Sequence, residues 1–157
     1  MKTASFIVAT NGRLKWWVHH TLSDLTPEQL HSSTPALDDR PILEVAMHAV
    51  TVLLGHTIVL AGKDWPVEDY PPDRWPPKIV QPASATEFVA TLDALLAQVD
   101  EAVSRLSDDD LDQDVTFPWE QQHAGDALSA ALTHALTHAG GIAGIRAIGG
   151  YPVPPGY

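Results

Sequence analysis

Apolar residues along this chain recur at helical spacing in four long segments, separated by short capped turns and one proline-rich stretch. Residues 4–24 carry Phe6, Leu14, Trp17, Val18 and Leu22 as a loose stripe, interrupted by Gly12, and predict a first helix. Residues 41–61, opened by Pro41, predict a second, with Ile42, Val45, Ala46, Ala49, Val52, Leu53 and Val59 as packing candidates. Ser84 is placed to cap a third helix running to Leu106, with Phe88, Leu92, Leu95, Leu96, Val99, Val103 and Leu106 on its apolar face. A fourth covers roughly residues 125–148 and stops at Gly149-Gly150, where a left-handed residue can end it.

The links carry their own signals. Thr26-Pro27-Glu28-Gln29 has a threonine to cap, proline at the first helical position and glutamine two residues on, which predicts a single capped turn. Ser107-Asp108-Asp109-Asp110 repeats that chemistry after the third helix, so both halves share a plan of helix, capped turn, extended link and helix. Six of the 13 prolines fall between Pro66 and Pro82, and proline's fixed φ and missing donor predict an extended surface crossover there. Two helix pairs joined by such a crossover predict an all-α, four-helix bundle that is not simple up-down-up-down. Val115-Thr116-Phe117-Pro118-Trp119 reads as an extended edge piece, and the tail Tyr151–Tyr157, with three prolines, as a loosely packed or contact-making end.

At 157 residues and 45% hydrophobic composition, the expectation is one soluble globular domain spanning residues 1–157. The net charge of −11, from 20 acidic and 9 basic residues, argues against nucleic acid or an anionic membrane as partner. Without cysteine there are no disulfides, thiolate nucleophiles or sulfur ligands. No signal segment is read, and no stretch is read as long enough to span a membrane, so a cytoplasmic protein is expected.

The chemistry lies in eight histidines. His134 and His138 are four apart, which puts them on one face of the fourth helix, where two imidazoles can share an ion. The spacing alone is a weak signal, but Ala131, Ala135, Ile142 and Ile145 place the pair beside the buried side. Two hydrogen-bonded interfacial histidines are the alternative. His48, midway along the second helix between Val45 and Val52, is a third donor if the two helices face each other. His19 and His20 adjoin and point apart, so at most one could reach such a site. His56, two turns past His48 and rotated by roughly 80°, reads as a packing or exposed residue. His31 and His123 read as solvated turn residues. Glu44, one turn before His48, is the single candidate catalytic group, to orient that ligand or act as a base; an acid favoured by the helix dipole is the plainer alternative.

Ile42-Leu43-Glu44-Val45-Ala46-Met47-His48 resembles the "I-x-E-hydrophobic-x-x-H" segment of DinB-like proteins, which include YfiT-type metal-dependent hydrolases. His134-Ala135-Leu136-Thr137-His138-Ala139-Gly140-Gly141-Ile142 is similar to the same family's "H-x-x-x-H-x-G-x-I", and Leu106 to Trp119 to the acidic turn and "T-F-P-W" stretch before it. The resemblance runs from about residue 13 to 150. It implies a four-helix bundle, often a homodimer, with His48, His134 and His138 facing one divalent ion, commonly nickel or zinc. It also implies either a metal-dependent hydrolase or a thiol S-transferase acting on a small molecule. A non-catalytic metal-binding module and a dimeric interaction protein remain open beside the enzyme. Many relatives have "H-R-G-Q" where this chain has His138-Ala139-Gly140-Gly141, so a charged group and an amide are absent.

Overall fold

Helix α1 (Thr3–Leu22) turns Ile7, Asn11, Leu14, Val18 and Leu22 inward at intervals of three and four residues. The structure, a computed structural model, describes residues 3–33, 35, 39–66 and 82–155. The expected proline-rich crossover falls mostly on residues 67–81 and, like the last two residues of the tail, lies outside them. Phe6, placed in the stripe from sequence, is instead 55% exposed. It sits eight residues from Leu14, about 80° out of phase on a helix, and Ile7 holds the core position. Asn11 is buried among these apolar residues because its side-chain nitrogen donates to the Leu96 carbonyl (3.0 Å) and to Asp100 Oδ1 (2.6 Å), tying two helices together.

Two one-turn helices, α2 (Pro27–Leu30) and α5 (Asp108–Leu111), follow the first and third long helices as the repeated plan requires. Each has a capping box: Thr26 with Gln29, and Ser107 with Asp110. Helix α3 (Ile42–Leu60) is buried at 14 of its 19 positions, which makes it the central helix rather than an amphipathic one. Val52 is only half-buried, while Leu43, Met47, Val50 and Leu54 join the core. With mean hydropathy 1.7 over a full spanning length, α3 corrects the expectation that no stretch is long enough to cross a membrane; 72% of that stretch is buried within the bundle. Helix α4 (Ala85–Val103) begins at Ser84, whose hydroxyl accepts from the Glu87 amide, and ends a turn earlier than expected; Leu106 is buried from the following loop.

Strand β1 (Asp114–Thr116) matches the expected extended piece, but it has a partner that was not foreseen. Strand β2 (Gln121–His123) pairs with it antiparallel, Val115 opposite Gln122, and the turn closes with the Phe117 amide donating to the Glu120 carbonyl. Helix α6 (Ala124–Ile148) then runs to Gly149, and Gly150 takes the left-handed φ of 81° that ends it. Around the bundle α3 packs on α6 and α4, and α1 on α4 and α6, so helices consecutive within each half lie diagonally. The tail is held rather than loose: Tyr151 is half-buried, and the Tyr151, Pro152 and Pro154 carbonyls all accept side-chain hydrogen bonds.

Candidate metal centre

Helix α3 packs most extensively on α6, whose buried positions include Ala127, Ala131, Ala135 and Ala139. Small residues let the backbones approach, so side chains at the edge of that seam meet across it. His48 from α3 meets His134 and His138 from α6 there, all three half-buried. The Nε2 atoms of His48 and His134 lie 2.9 Å apart, and those of His134 and His138 3.1 Å apart. The rings stand edge to face, with centroids 4.4 to 5.1 Å apart. The three residues read from sequence are thus brought to one point.

A neutral imidazole has one N–H and one lone pair. The His134 Nε2 faces two other Nε2 atoms and can make a proper hydrogen bond with only one of them. One cation, by contrast, can take all three lone pairs. Metal–nitrogen bonds of about 2.0–2.1 Å allow two ligands on one ion to be up to roughly 4.2 Å apart. The observed 2.9 and 3.1 Å fall inside that limit, and all three ligand atoms lie within 4.8 Å of one another, so the group could hold a metal ion.

Burial sets the protonation state. It pushes His48 down to about 2, helped by His134, His138 and the Arg40 cation, and pushes His138 down to about 4, helped by His134. His134 is lowered too, by burial and then by His56. At neutral pH all three rings are neutral and keep their lone pairs.

The remaining sequence candidates are elsewhere. His19 Nε2 pairs with Asp93 at 2.6 Å, and His20 stacks on Trp16 and contacts the Pro154 carbonyl at 2.6 Å, so neither faces the centre. His31 and His123 are exposed, at the end of α2 and the start of α6. Glu44 is half-buried in the first turn of α3 and makes no side-chain hydrogen bond among the described residues, to His48 or otherwise. His56 packs, as expected, but its company was missed: Phe117, Trp65 and Trp119 lie with ring centroids 4.9, 5.5 and 5.8 Å from it. The "T-F-P-W" stretch was the available signal for that cluster.

Residues 18–142 match the DinB superfamily. Two crystal structures share the fold. A DinB-like protein from Bacillus cereus superposes with TM-score 0.70 at 23% identity, covering 96% of this chain and 95% of that one. A DinB-like protein from Bacillus subtilis superposes with TM-score 0.64 at 14% identity, covering 97% and 95%. No curated protein matches the chain.

Proposed function

The chain belongs to the DinB superfamily, and on that footing we propose that His48, His134 and His138 hold one divalent ion, nickel or zinc, at which a small molecule undergoes hydrolysis or thiol transfer. The observation that carries this reading is the convergence of three neutral Nε2 atoms on one point. An all-imidazole donor set suits zinc, nickel and copper better than magnesium or calcium. Among the described residues the centre has three protein ligands, the number found in catalytic zinc sites, whereas structural sites are closed by four. When bound, the ion supplies Lewis-acid chemistry, acidifying water, polarising a carbonyl or attracting a thiolate.

The chain's own residues prepare for that. Burial keeps the imidazoles neutral. The packing of α3 on α6 brings them together. A second reading is an ion that locks α3 to α6 without turnover. Glu44 favours it, because the one carboxylate near the centre in sequence engages none of the three histidines.

The test is protein purified without a histidine tag, assayed for bound metal and titrated by calorimetry above pH 7. His48→Ala, His134→Ala and His138→Ala each abolish stoichiometric binding, while His56→Ala and His123→Ala retain it. Tight binding by His48→Ala would refute the shared centre. Metal-dependent turnover of an activated ester, or of an electrophile with a low-molecular-weight thiol, separates the enzyme from the lock.

A further inference from the structure

Among the described residues, four aromatic rings converge where α3 ends and the β1–β2 hairpin folds over it. Phe117 and Trp119, at the hairpin tip, stack with centroids 5.3 Å apart and planes 18° apart. Trp65, just past α3, meets Trp119 edge-on at 5.0 Å, and His56 touches all three. The helix makes room for this. A Cβ at Gly55 would lie 2.6 Å from Trp65 Cζ3 and 2.9 Å from Cζ2, so the outer edge of the indole lies against bare backbone. Trp119 nevertheless stays 44% exposed.

Beside these rings is a cleft of about 300 Å³, lined by Lys63, Asp64, Trp65, Thr116, Phe117 and Pro118. That is at the small end of ligand sites, enough for a one-ring molecule. Its inner wall is aromatic and its rim, Lys63 and Asp64, is charged and exposed. Such a wall favours a planar partner through stacked or edge-to-face contact, and the rim suits a polar substituent on that partner.

We propose that this cleft binds a planar aromatic group carrying a polar substituent, and that it anchors the substrate of the neighbouring histidine centre. The anchoring role rests on the metal-site reading; the binding itself does not. His56 is the link: it lies two turns beyond His48, about 12 Å along the same helix, and contacts the aromatic wall. A substrate reaching from cleft to centre is therefore on the order of 10 Å long.

The experiment uses metal-free full-length protein and follows the tryptophan indole N–H signals by NMR during a phenol titration. Cyclohexanol, of like size and polarity but not planar, is the comparison. Saturable shifts of the Trp65 and Trp119 signals are expected with phenol and weaker ones with cyclohexanol. Phe117→Leu, which removes a ring that lines the cleft but keeps most of its apolar volume, should bind about three- to tenfold more weakly, as losing one ring contact implies. Gly55→Ala, which displaces Trp65, should do the same, and Trp16→Ala on α1 should bind like the parent. Absence of a saturable shift, or unchanged affinity in folded Phe117→Leu, overturns the cleft whatever the metal titration of the same sample gives. 4-Hexyloxyphenol, whose chain spans on the order of 10 Å, should in addition shift the His134 ring; shifts at the tryptophans with none at that ring overturn the link to the centre.

Discussion

Replacing Arg146 with methionine should cost about 3 kcal/mol of folding stability, a figure that can be assembled contact by contact. Its side chain is 2% exposed, and all five N–H donors are used. Nε donates to the Tyr151 carbonyl (3.0 Å), Nη1 to the Thr21 carbonyl and Asp24 Oδ1 (2.7 Å), and Nη2 to Asp24 Oδ2 (2.8 Å) and the Pro152 carbonyl (3.2 Å). The guanidinium also lies 5.9 Å from the Tyr151 ring. Methionine fills much of the volume but strands the acceptors. Thr21 is fully buried, so its carbonyl bears the larger penalty, about 1–3 kcal/mol. Asp24 is 46% exposed and Pro152 lies at the surface, so water recovers part of both losses. The sum falls at the low end of the roughly 3–5 kcal/mol seen when a buried ion pair loses one partner. For a domain of this size that is about 6–12 °C in Tm.

Urea and thermal unfolding followed by circular dichroism would measure it on Arg146→Met, Arg146→Lys and Asp24→Asn. Lysine, with three donors and no planar fork, should recover only part of the loss, and Asp24→Asn should cost about 1 kcal/mol. His138 is two turns from Arg146, about 12 Å, so folded Arg146→Met should still bind metal stoichiometrically. A loss below about 1 kcal/mol for Arg146→Met, or an equal loss for Asp24→Asn, would show that the clamp is not what holds the tail and α6 to α1.

Acid should weaken the metal-free protein from about pH 6.5 downwards. The folded pKa values of His48, His134 and His138 are lowered from 6.5, so the unfolded chain takes up protons first and stability falls from about pH 6.5 towards 4. Urea midpoints at pH 7.5, 5.5 and 4.5 would show it, with a shallower fall in His48→Leu; a midpoint independent of pH would refute it. A homodimer is expected through α6, because from Ser129 to Ile148 every exposed residue of that helix is uncharged on a chain of net charge −11. Light scattering should give twice 17.0 kDa, and Gly140→Glu should give the single-chain mass; a monomeric parent at micromolar concentration would refute the interface.

Where a helix has one wet face the sequence declared it. Helix α4 was legible from its seven-position stripe and its Ser84 cap, and both capped turns formed as their side chains require. Helix α3 was not, because a helix buried on nearly all sides has no polar face to mark its phase, and a stripe chosen from it selects Val52 as readily as Val50. Strand β2 escaped for the opposite reason: Gln121-Gln122-His123 has no apolar alternation, and it is a strand only because Val115 and the hairpin turn give it a partner.

The same distinction divides the site. His134 and His138 share a helix, so spacing alone put their rings side by side. His48 needed a statement about which helices face each other, and that depends on the alanines of α6 and the all-round burial of α3 acting together. The aromatic cleft required more still, since Trp65 and Phe117 reach His56 from nine and 61 residues away, and only the glycine at position 55 marks the place where a large ring must lie on the helix. A chemistry carried on one element can be read from its period. One assembled from three elements leaves its trace in the residues that make room for it, which is why Gly55→Ala probes the cleft more selectively than removing any of the rings.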